Sequence, residues 1–309
     1  MMASANDDLA LYRDITTRVS AGEHYYPVTA DELRSNNYPL KPFLAFRLPT
    51  LVEVSALLGH PIMIGLQLAL FMLMAWCWWR RLDGQFDDPG RRTLAAMLAL
   101  AGVAFAFSGQ YVDLHEVWAG TLIAISLAVY REGYWRWSLL AAALALSVRE
   151  LALPYVLLMG AMAIARRQWR EAAEWFVLIS LFAIGLLWHA IDASNVVLAS
   201  DPASPGWASL AGWDGFVRTF YLTGPMRWLP AAVVMPITIL TMFGWLSWKS
   251  RTGLTASLFF VGYALAFMIF GRANNFYWGM MVAPAFLVGL AFVPEAMADL
   301  RAAYRKQGK

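Results

Sequence analysis

Long runs of apolar side chains, separated by short segments that carry arginine, dominate this sequence. Nine of these runs reach or approach the length of a helix that crosses a hydrocarbon core about 30 Å thick. Their approximate limits are 58–79, 93–108, 115–130, 136–148, 151–165, 174–191, 227–248, 254–271 and 277–294. Because 60% of the residues are hydrophobic and only 15% are charged, the chain lacks the polar surface of a water-soluble globule. The sequence therefore predicts an all-α polytopic integral membrane protein with about nine transmembrane helices, and it excludes a soluble enzyme.

The distribution of basic residues orients these runs, because arginine and lysine are retained on the cytoplasmic side of a membrane. Five of the connecting segments together hold 15 of the 24 basic residues, and they alternate with segments that hold few. They are 80–92, 131–136, 166–170, 249–251 and 301–309. We therefore expect these segments and the C-terminus in the cytoplasm, and residues 1–57 and 192–226 on the outer face.

This orientation divides the predicted single transmembrane domain into four parts. Residues 1–57 form an outer juxtamembrane loop, 58–191 the N-terminal helices, 192–226 a second outer loop, and 227–309 the C-terminal helices with a cytoplasmic tail. No apolar segment precedes the first outer loop in this sequence. Either that loop crosses the membrane unaided or a first transmembrane helix lies upstream of this start, and the second alternative predicts ten spans.

The first outer loop begins with an amphipathic pattern. Apolar side chains at i, i+4 and i+8 predict a helix over 8–21 that lies in the membrane interface. These side chains are Leu11, Ile15 and Val19. Residues 25–27 and 38–42 carry turn and extended signals. A second interfacial helix is predicted over 214–221.

Charged and polar side chains at the outer ends of the apolar runs are the most informative about chemistry. A charge at the membrane boundary is unfavourable unless it is solvated or paired. The set is Asp7, Asp8, Lys41, Arg47, Asp113, His115, Glu116, Arg149, Glu150 and Arg272. Arginine and lysine at this depth are suited to hold the phosphate of a lipid-linked substrate, and a nearby carboxylate is suited to act as a general base towards a hydroxyl. The set therefore favours glycosyl transfer.

Each of these residues also has a purely structural interpretation. Arg149 and Glu150 interrupt an apolar stretch, where they would end two helices and pair with one another or with lipid headgroups. Asp113 and Glu116 would occupy the N-terminal end of the following helix, whose dipole favours acidic groups.

The same holds for the remaining charged positions. Asp7 and Asp8 would be N-caps of the amphipathic helix, and Arg272 would be a snorkelling contact to headgroups. Three of the histidines are expected to be structural. They are His24, His60 and His189.

Several short motifs in the first half follow one another in a recognisable order. Asp8-Leu-Ala-Leu-Tyr12 precedes Arg18-Val-Ser-Ala-Gly22-Glu-His-Tyr25-Tyr26, and Tyr38-Pro-Leu-Lys41-Pro42 comes next. The segments 109–120 and 147–154 continue the series. Over about residues 1–160 this order resembles the GT-C superfamily, polytopic glycosyltransferases that take sugars from polyprenyl-phosphate donors on the outer side of the membrane. The C-terminal half carries no motif of that family.

The resemblance implies a GT-C-like fold and a role for each matching residue. Asp8, or Asp7 in a shifted register, would be the catalytic base. The donor phosphate would be contacted by Lys41, Arg149 and Arg272. The substrate pocket would be lined by Asp113, His115, Glu116 and Glu150. The implied partners are a polyprenyl-phosphate sugar, a lipid or glycan acceptor and membrane lipids, in the plasma (inner) membrane of a bacterial-type cell.

The sequence also bears on partners and functions other than glycosyl transfer. The net charge of +3 and the dispersed basic residues argue against a nucleic-acid partner. Cys77 is the single cysteine and the histidines lack zinc-site spacing, so no metal or other cofactor is predicted, although a divalent metal at the outer carboxylates stays open. The alternatives are a transporter or lipid flippase, which ionisable groups at mid-membrane depth would favour, and a non-catalytic partner in glycan assembly.

Overall fold

The computed structural model describes residues 5–86, 88–206 and 208–307, which form helices joined by turns. Among these residues there is no β-strand, and the only bridge of that kind joins Lys41 and Ala203. The α-helices are α1 (Ala5–Ser20), α2 (Tyr25–Ser35), α3 (Thr50–Leu58), α4 (His60–Arg81), α5 (Pro89–Gly102), α6 (His115–Val129), α7 (Arg136–Val148), α8 (Leu153–Ala165), α9 (Trp169–Val196), α10 (Gly212–Thr223), α11 (Ala231–Ser247), α12 (Arg251–Phe270), α13 (Ala283–Phe286) and α14 (Val293–Gln307). The all-α fold class is confirmed for the described residues.

Four helical stretches have the length and apolar composition needed to cross a membrane. They are α4, α9, α12 and the stretch Ala283–Lys306, in which 287–292 adopts the tighter 3-10 form. The 22 residues of α4 alone extend about 33 Å at 1.5 Å per residue. The shorter apolar helices α6, α7, α8 and α11 add to this membrane character. That about nine helices cross the membrane remains a prediction.

The helix α9 shows why a lipid environment is required. Only 11% of its most apolar window is buried within the protein. Large apolar side chains along it, among them Phe176, Leu181 and Trp188, are 68%, 62% and 68% exposed. An apolar surface of this length is unfavourable in water and suits the hydrocarbon interior of a bilayer.

The described residues fall into two compact units. The first is drawn from Met1–Ala69, Ala106–Ala119 and Ala142–Trp207, and the second from Leu70–Phe105, Gly120–Ala141 and Ala208–Lys309. Every predicted site residue except Arg272 belongs to the first unit.

Glycines bring backbones into close contact within the second unit. A Cβ atom added to Gly244 would lie 1.9 Å from the carbonyl oxygen of Gly289, and one added to Gly102 would lie 2.1 Å from that of Ala283. No side chain fits in such a space. Close backbone approach at small residues is the usual way in which membrane helices gain packing energy, because lipid provides no hydrophobic drive between them.

The amphipathic helix predicted over 8–21 is confirmed as α1. Its apolar face is covered by protein, because Leu11 and Ile15 are 3% and 2% exposed and pack in a cluster with Val28 and Leu33 of α2. The expectation that this face lies against the membrane interface is therefore wrong for those two residues. The helix predicted over 214–221 is confirmed within α10.

The turn signal at 25–27 is a wrong prediction. These residues form the first turn of α2, where Pro27 is tolerated because the N–H groups of a first turn have no partner within the helix. The extended signal at 38–42 is confirmed in part, because the Leu40 N–H donates to the carbonyl oxygen of Pro202 at 3.0 Å.

An ion pair also joins α2 to the segment after α9. Two guanidinium nitrogens of Arg34 donate to the two carboxylate oxygens of Asp201 at 2.9 and 2.8 Å. The hydrogen bonds from Arg34 lower the pKa of the Asp201 carboxyl from its ordinary 3.8 to about 2. Because the pKa is lowered on folding, the pair stabilises the fold above pH 4, and this stabilisation is lost as the pH falls from 4 through 2.

We therefore predict that Asp201→Asn lowers the apparent melting temperature at pH 7 and that its difference from the wild type shrinks between pH 4 and pH 2. Thermal unfolding in a detergent or nanodisc, followed by intrinsic fluorescence at each pH, measures this difference. Asp192→Asn, which alters an exposed carboxylate of α9, is the control. A difference that stays constant over this pH range would contradict the prediction.

Candidate functional site

The amino-terminal helix places the predicted base beside a tyrosine. Asp8 lies in the first half of α1, and its half-buried carboxylate accepts a hydrogen bond from the hydroxyl of Tyr38. Tyr38 follows α2, so this contact holds the start of α1 against the segment between α2 and α3. The side chain of Asp7 lies outside the described residues.

The first turn of α6 carries two buried polar side chains. His115 and Glu116 are 1% and 0% exposed. The ring of His115 contacts the ring of Tyr12 edge to face at 5.4 Å, and the guanidinium of Arg47 lies 6.0 Å from the centre of the Tyr12 ring. Tyr12 stands one helical turn after Asp8 on α1. These contacts bring α1, the segment before α3 and the start of α6 to one place.

Arg149 completes a buried ionic cluster. Arg149 lies between α7 and the 3-10 turn 150–152, and its backbone is extended. Its side chain therefore does not follow the helical arrangement of the side chains of α7. Its Nε donates to Glu116 Oε1 at 2.7 Å, and a terminal nitrogen donates to the Glu150 carboxylate. A terminal nitrogen of Arg47 lies 3.9 Å from the same oxygen of Glu116. We call Arg47, Glu116, Arg149 and Glu150 the ionic cluster.

Charge balance explains how this cluster can be buried. Two arginines face two carboxylates, so the formal charges cancel, and buried charges are tolerated when they are paired and hydrogen-bonded. Arg149 is 1% exposed. Arg149 and Glu150 do pair with one another, as their structural interpretation expects. A phosphate bound at Arg149 has to compete with Glu150 for the guanidinium.

Lys41 and Arg272 are the other predicted phosphate contacts. Lys41 is half-buried in the first unit, and its Nζ donates to the carbonyl oxygen of Ala199 at 2.9 Å. Arg272 belongs to the second unit and follows the C-terminal end of α12. Of the two predicted phosphate contacts in the first unit, Arg149 is the one that belongs to the ionic cluster.

Asp113 is a nearly buried acid with a distant ionic partner. It precedes α6, it is 6% exposed, and its Oδ2 lies 3.8 Å from the Nε of Arg13 on α1. Burial raises the pKa of this carboxyl above its ordinary value, and the neighbouring His60 and Arg13 oppose the rise.

Sequence reasoning missed several residues that complete this region. Tyr12 could have been found from helical spacing, since position i+4 from Asp8 lies on the same face of α1. Tyr38 stood in one of the motifs quoted above, but no role was assigned to it. Arg13 carried no comparable signal. His189, expected to be structural, is 4% exposed and hydrogen-bonds through Nδ1 with the hydroxyl of Tyr26 at 3.1 Å.

Chemically, the region offers a half-buried carboxylate at Asp8, a neutral ionic cluster and a second, more deeply buried carboxylate at Asp113. Within the described ranges, no three or more side chains of His, Cys, Asp or Glu are placed to hold a metal ion. Comparisons of the chain with protein-family models, curated proteins and solved structures give no match. The function must therefore be argued from these residues.

Proposed function

We propose that this membrane protein is a glycosyltransferase that moves a sugar from a polyprenyl-phosphate donor to a lipid or glycan acceptor. The observation that supports it most is the convergence of Asp8, His115 and the ionic cluster within one unit, although these residues come from four separate stretches of the chain. The reaction would take place on the outer side of the plasma membrane, with the C-terminus in the cytoplasm.

In this mechanism the acceptor hydroxyl oxygen attacks the anomeric carbon of the donor sugar. The bond between that carbon and the phosphate oxygen breaks, and polyprenyl phosphate leaves with the bonding electrons. Asp8 takes the proton of the acceptor hydroxyl, and the hydrogen bond from Tyr38 holds the carboxylate in position. Arginine and lysine side chains would stabilise the negative charge that develops on the leaving phosphate.

The cations assigned to the donor phosphate are Lys41, Arg149 and Arg272. Arg149 would fill this role by exchanging its bond to Glu150, the more exposed of its two carboxylate partners, for a bond to phosphate. Such an exchange would keep the Glu116 contact, and the phosphate would take the place of the Glu150 carboxylate as the second anionic partner of Arg149. Arg47, which is 13% exposed beside Glu116, is a second cation of the ionic cluster.

Native mass spectrometry of the protein, extracted gently from its own membrane, tests the donor class without knowledge of the sugar or acceptor. We expect an adduct with the mass of a polyprenyl phosphate or its glycosylated form. We also expect Lys41→Ala to reduce the retained fraction several-fold and Arg170→Ala, which alters an exposed cation at the start of α9, to leave it unchanged. An intact protein that carries no such lipid would overturn the proposal in favour of a transporter or a non-catalytic assembly partner.

A further inference from the structure

A cavity of about 440 Å³, with several polar side chains in its walls, lies within the first unit, beside α1. Its walls come from Arg13 and Thr17 of α1, from Ser55 and His60 near the α3–α4 junction, and from Gln110 and Asp113 in the segment before α6. Its volume falls within the range of about 300–1,000 Å³ that is typical of small-molecule sites.

The hydroxyl groups on the α1 wall are arranged as hydrogen-bond acceptors. Thr16 and Thr17 donate their hydroxyl hydrogens to the carbonyl oxygens of Tyr12 and Arg13, at 2.8 and 2.9 Å. Ser20 donates likewise to the carbonyl oxygen of Thr16. Since these hydrogens are used within the helix, the oxygens present only lone pairs to a ligand.

Asp113 adds an acceptor that lacks a hydrogen-bond partner among the described residues. Its Oδ2 is buried and makes no hydrogen bond there, and Arg13 at 3.8 Å is beyond hydrogen-bonding distance. A buried carboxylate oxygen without a donor is unfavourable by roughly 1–3 kcal/mol, so a ligand that brings a donor to the Asp113 carboxylate, which lines the cavity, would relieve this cost.

The charges of the lining decide between classes of ligand. The titratable groups of the lining are Arg13, His60 and Asp113. One arginine faces one aspartate, and a neutral histidine adds no charge, so the lining has neither the cluster of cations that holds a phosphate nor the cluster of carboxylates that holds a cationic amine. Several acceptors, with the Gln110 amide and Arg13 as donors, match a neutral group that carries many hydroxyls.

We infer that this cavity binds the sugar ring of a substrate, with Asp113 accepting hydrogen bonds from the ring hydroxyls. The inference rests on the proposed function, and it assigns the sugar rather than the phosphate to this place. The ring belongs either to the donor or to the acceptor glycan, and both present the same hydroxyl chemistry.

Saturation-transfer NMR on the full-length protein in lipid nanodiscs tests this inference. The probes are methyl glycosides of hexoses and pentoses, with inorganic phosphate and choline as charged competitors. We expect at least one glycoside to receive saturation at its ring protons, and we expect neither charged competitor to displace it. Failure of every glycoside to bind, or displacement by phosphate or choline, would overturn the inference.

Variants of the cavity lining test whether the glycoside binds in this cavity. Asp113→Asn keeps the shape of the side chain but weakens its hydrogen bonds, so we expect glycoside binding to weaken about tenfold or more. Gln110→Ala, at an exposed position where folding is not at risk, should weaken it several-fold. Asp14→Asn, which alters an exposed carboxylate of α1 outside the cavity lining, should have no effect. Equal binding by the wild type and Asp113→Asn would contradict the assignment.

The sugar site and the proposed glycosyltransferase function can each fail without the other. A bound glycoside in a protein that retains no polyprenyl phosphate would preserve the sugar site and remove the glycosyltransferase proposal. Sugar transfer that is unchanged in Asp113→Asn would preserve the function and remove the sugar site. Where transfer is impaired, a raised KM for the donor or for the acceptor identifies which substrate supplies the ring.

Discussion

Replacing Asp8 with asparagine is expected to reduce sugar transfer by about 10²- to 10⁴-fold, the usual contribution of a general base. Asparagine cannot take a proton from the acceptor hydroxyl at neutral pH. Its amide oxygen can still accept the hydrogen bond from Tyr38, so the start of α1 should stay in place. The fold and the retained lipid should therefore match those of the wild type. Transfer of labelled sugar from the membrane's own lipid fraction to an endogenous acceptor measures the rate.

The matched control is Asp14→Asn on the same helix, where an exposed carboxylate is neutralised without touching Asp8 or Tyr38. Its transfer rate should equal that of the wild type. Tyr38→Phe removes the hydrogen bond but leaves the carboxylate, so it should lower the rate less than Asp8→Asn does. If Asp8→Asn retains full activity, Asp8 is not the base. A protein that never transfers sugar but still associates with its assembly partners would be a scaffold.

Local helical signals predicted much of the fold. The i, i+4, i+8 spacing identified α1, and the apolar runs coincide with helices even where a run is too short to establish a span. Pro27 misled the prediction because a proline fits equally into a turn and into the first turn of a helix. Which surface covers the apolar face of α1 could not be predicted, since lipid and the apolar side chains of α2 satisfy that face equally well.

Sequence patterns predicted most residues of the candidate site, but they did not predict how these residues contact one another. The charges at the ends of the apolar runs were recognised because a charge at a membrane boundary is unfavourable, and most of them do fall in one unit. The bond between Glu116 and Arg149 joins residues 33 positions apart, and no periodic pattern specifies such a pairing. The cavity beside Asp113 is lined from three stretches of the chain, so its existence depends on how the helices pack.

The ionic cluster leads to the second large effect, which concerns stability. Glu116→Ala leaves the buried Arg149 without its main carboxylate partner and is expected to destabilise the fold by about 3–5 kcal/mol. Asp214→Ala breaks the i,i+4 pair with Arg218 on α10, whose side chains are 78% and 49% exposed, and should cost less than about 1 kcal/mol. Unfolding in mixed micelles with increasing SDS compares the two variants. Equal effects would show that burial does not strengthen the Glu116 contact.

A double variant separates the structural role of this pair from a role in catalysis. Glu116→Met combined with Arg149→Met removes both charges and fills similar space, so stability should recover towards that of the wild type. Glu150 is 16% exposed and can turn to solvent once Arg149 is gone. If Arg149 contacts the donor phosphate, the refolded double variant should still lose its polyprenyl phosphate and its transfer activity. A stable double variant that retains the lipid would show that Arg149 serves only to support the fold, and it would leave Lys41, Arg47 and Arg272 as the cations to test for the phosphate.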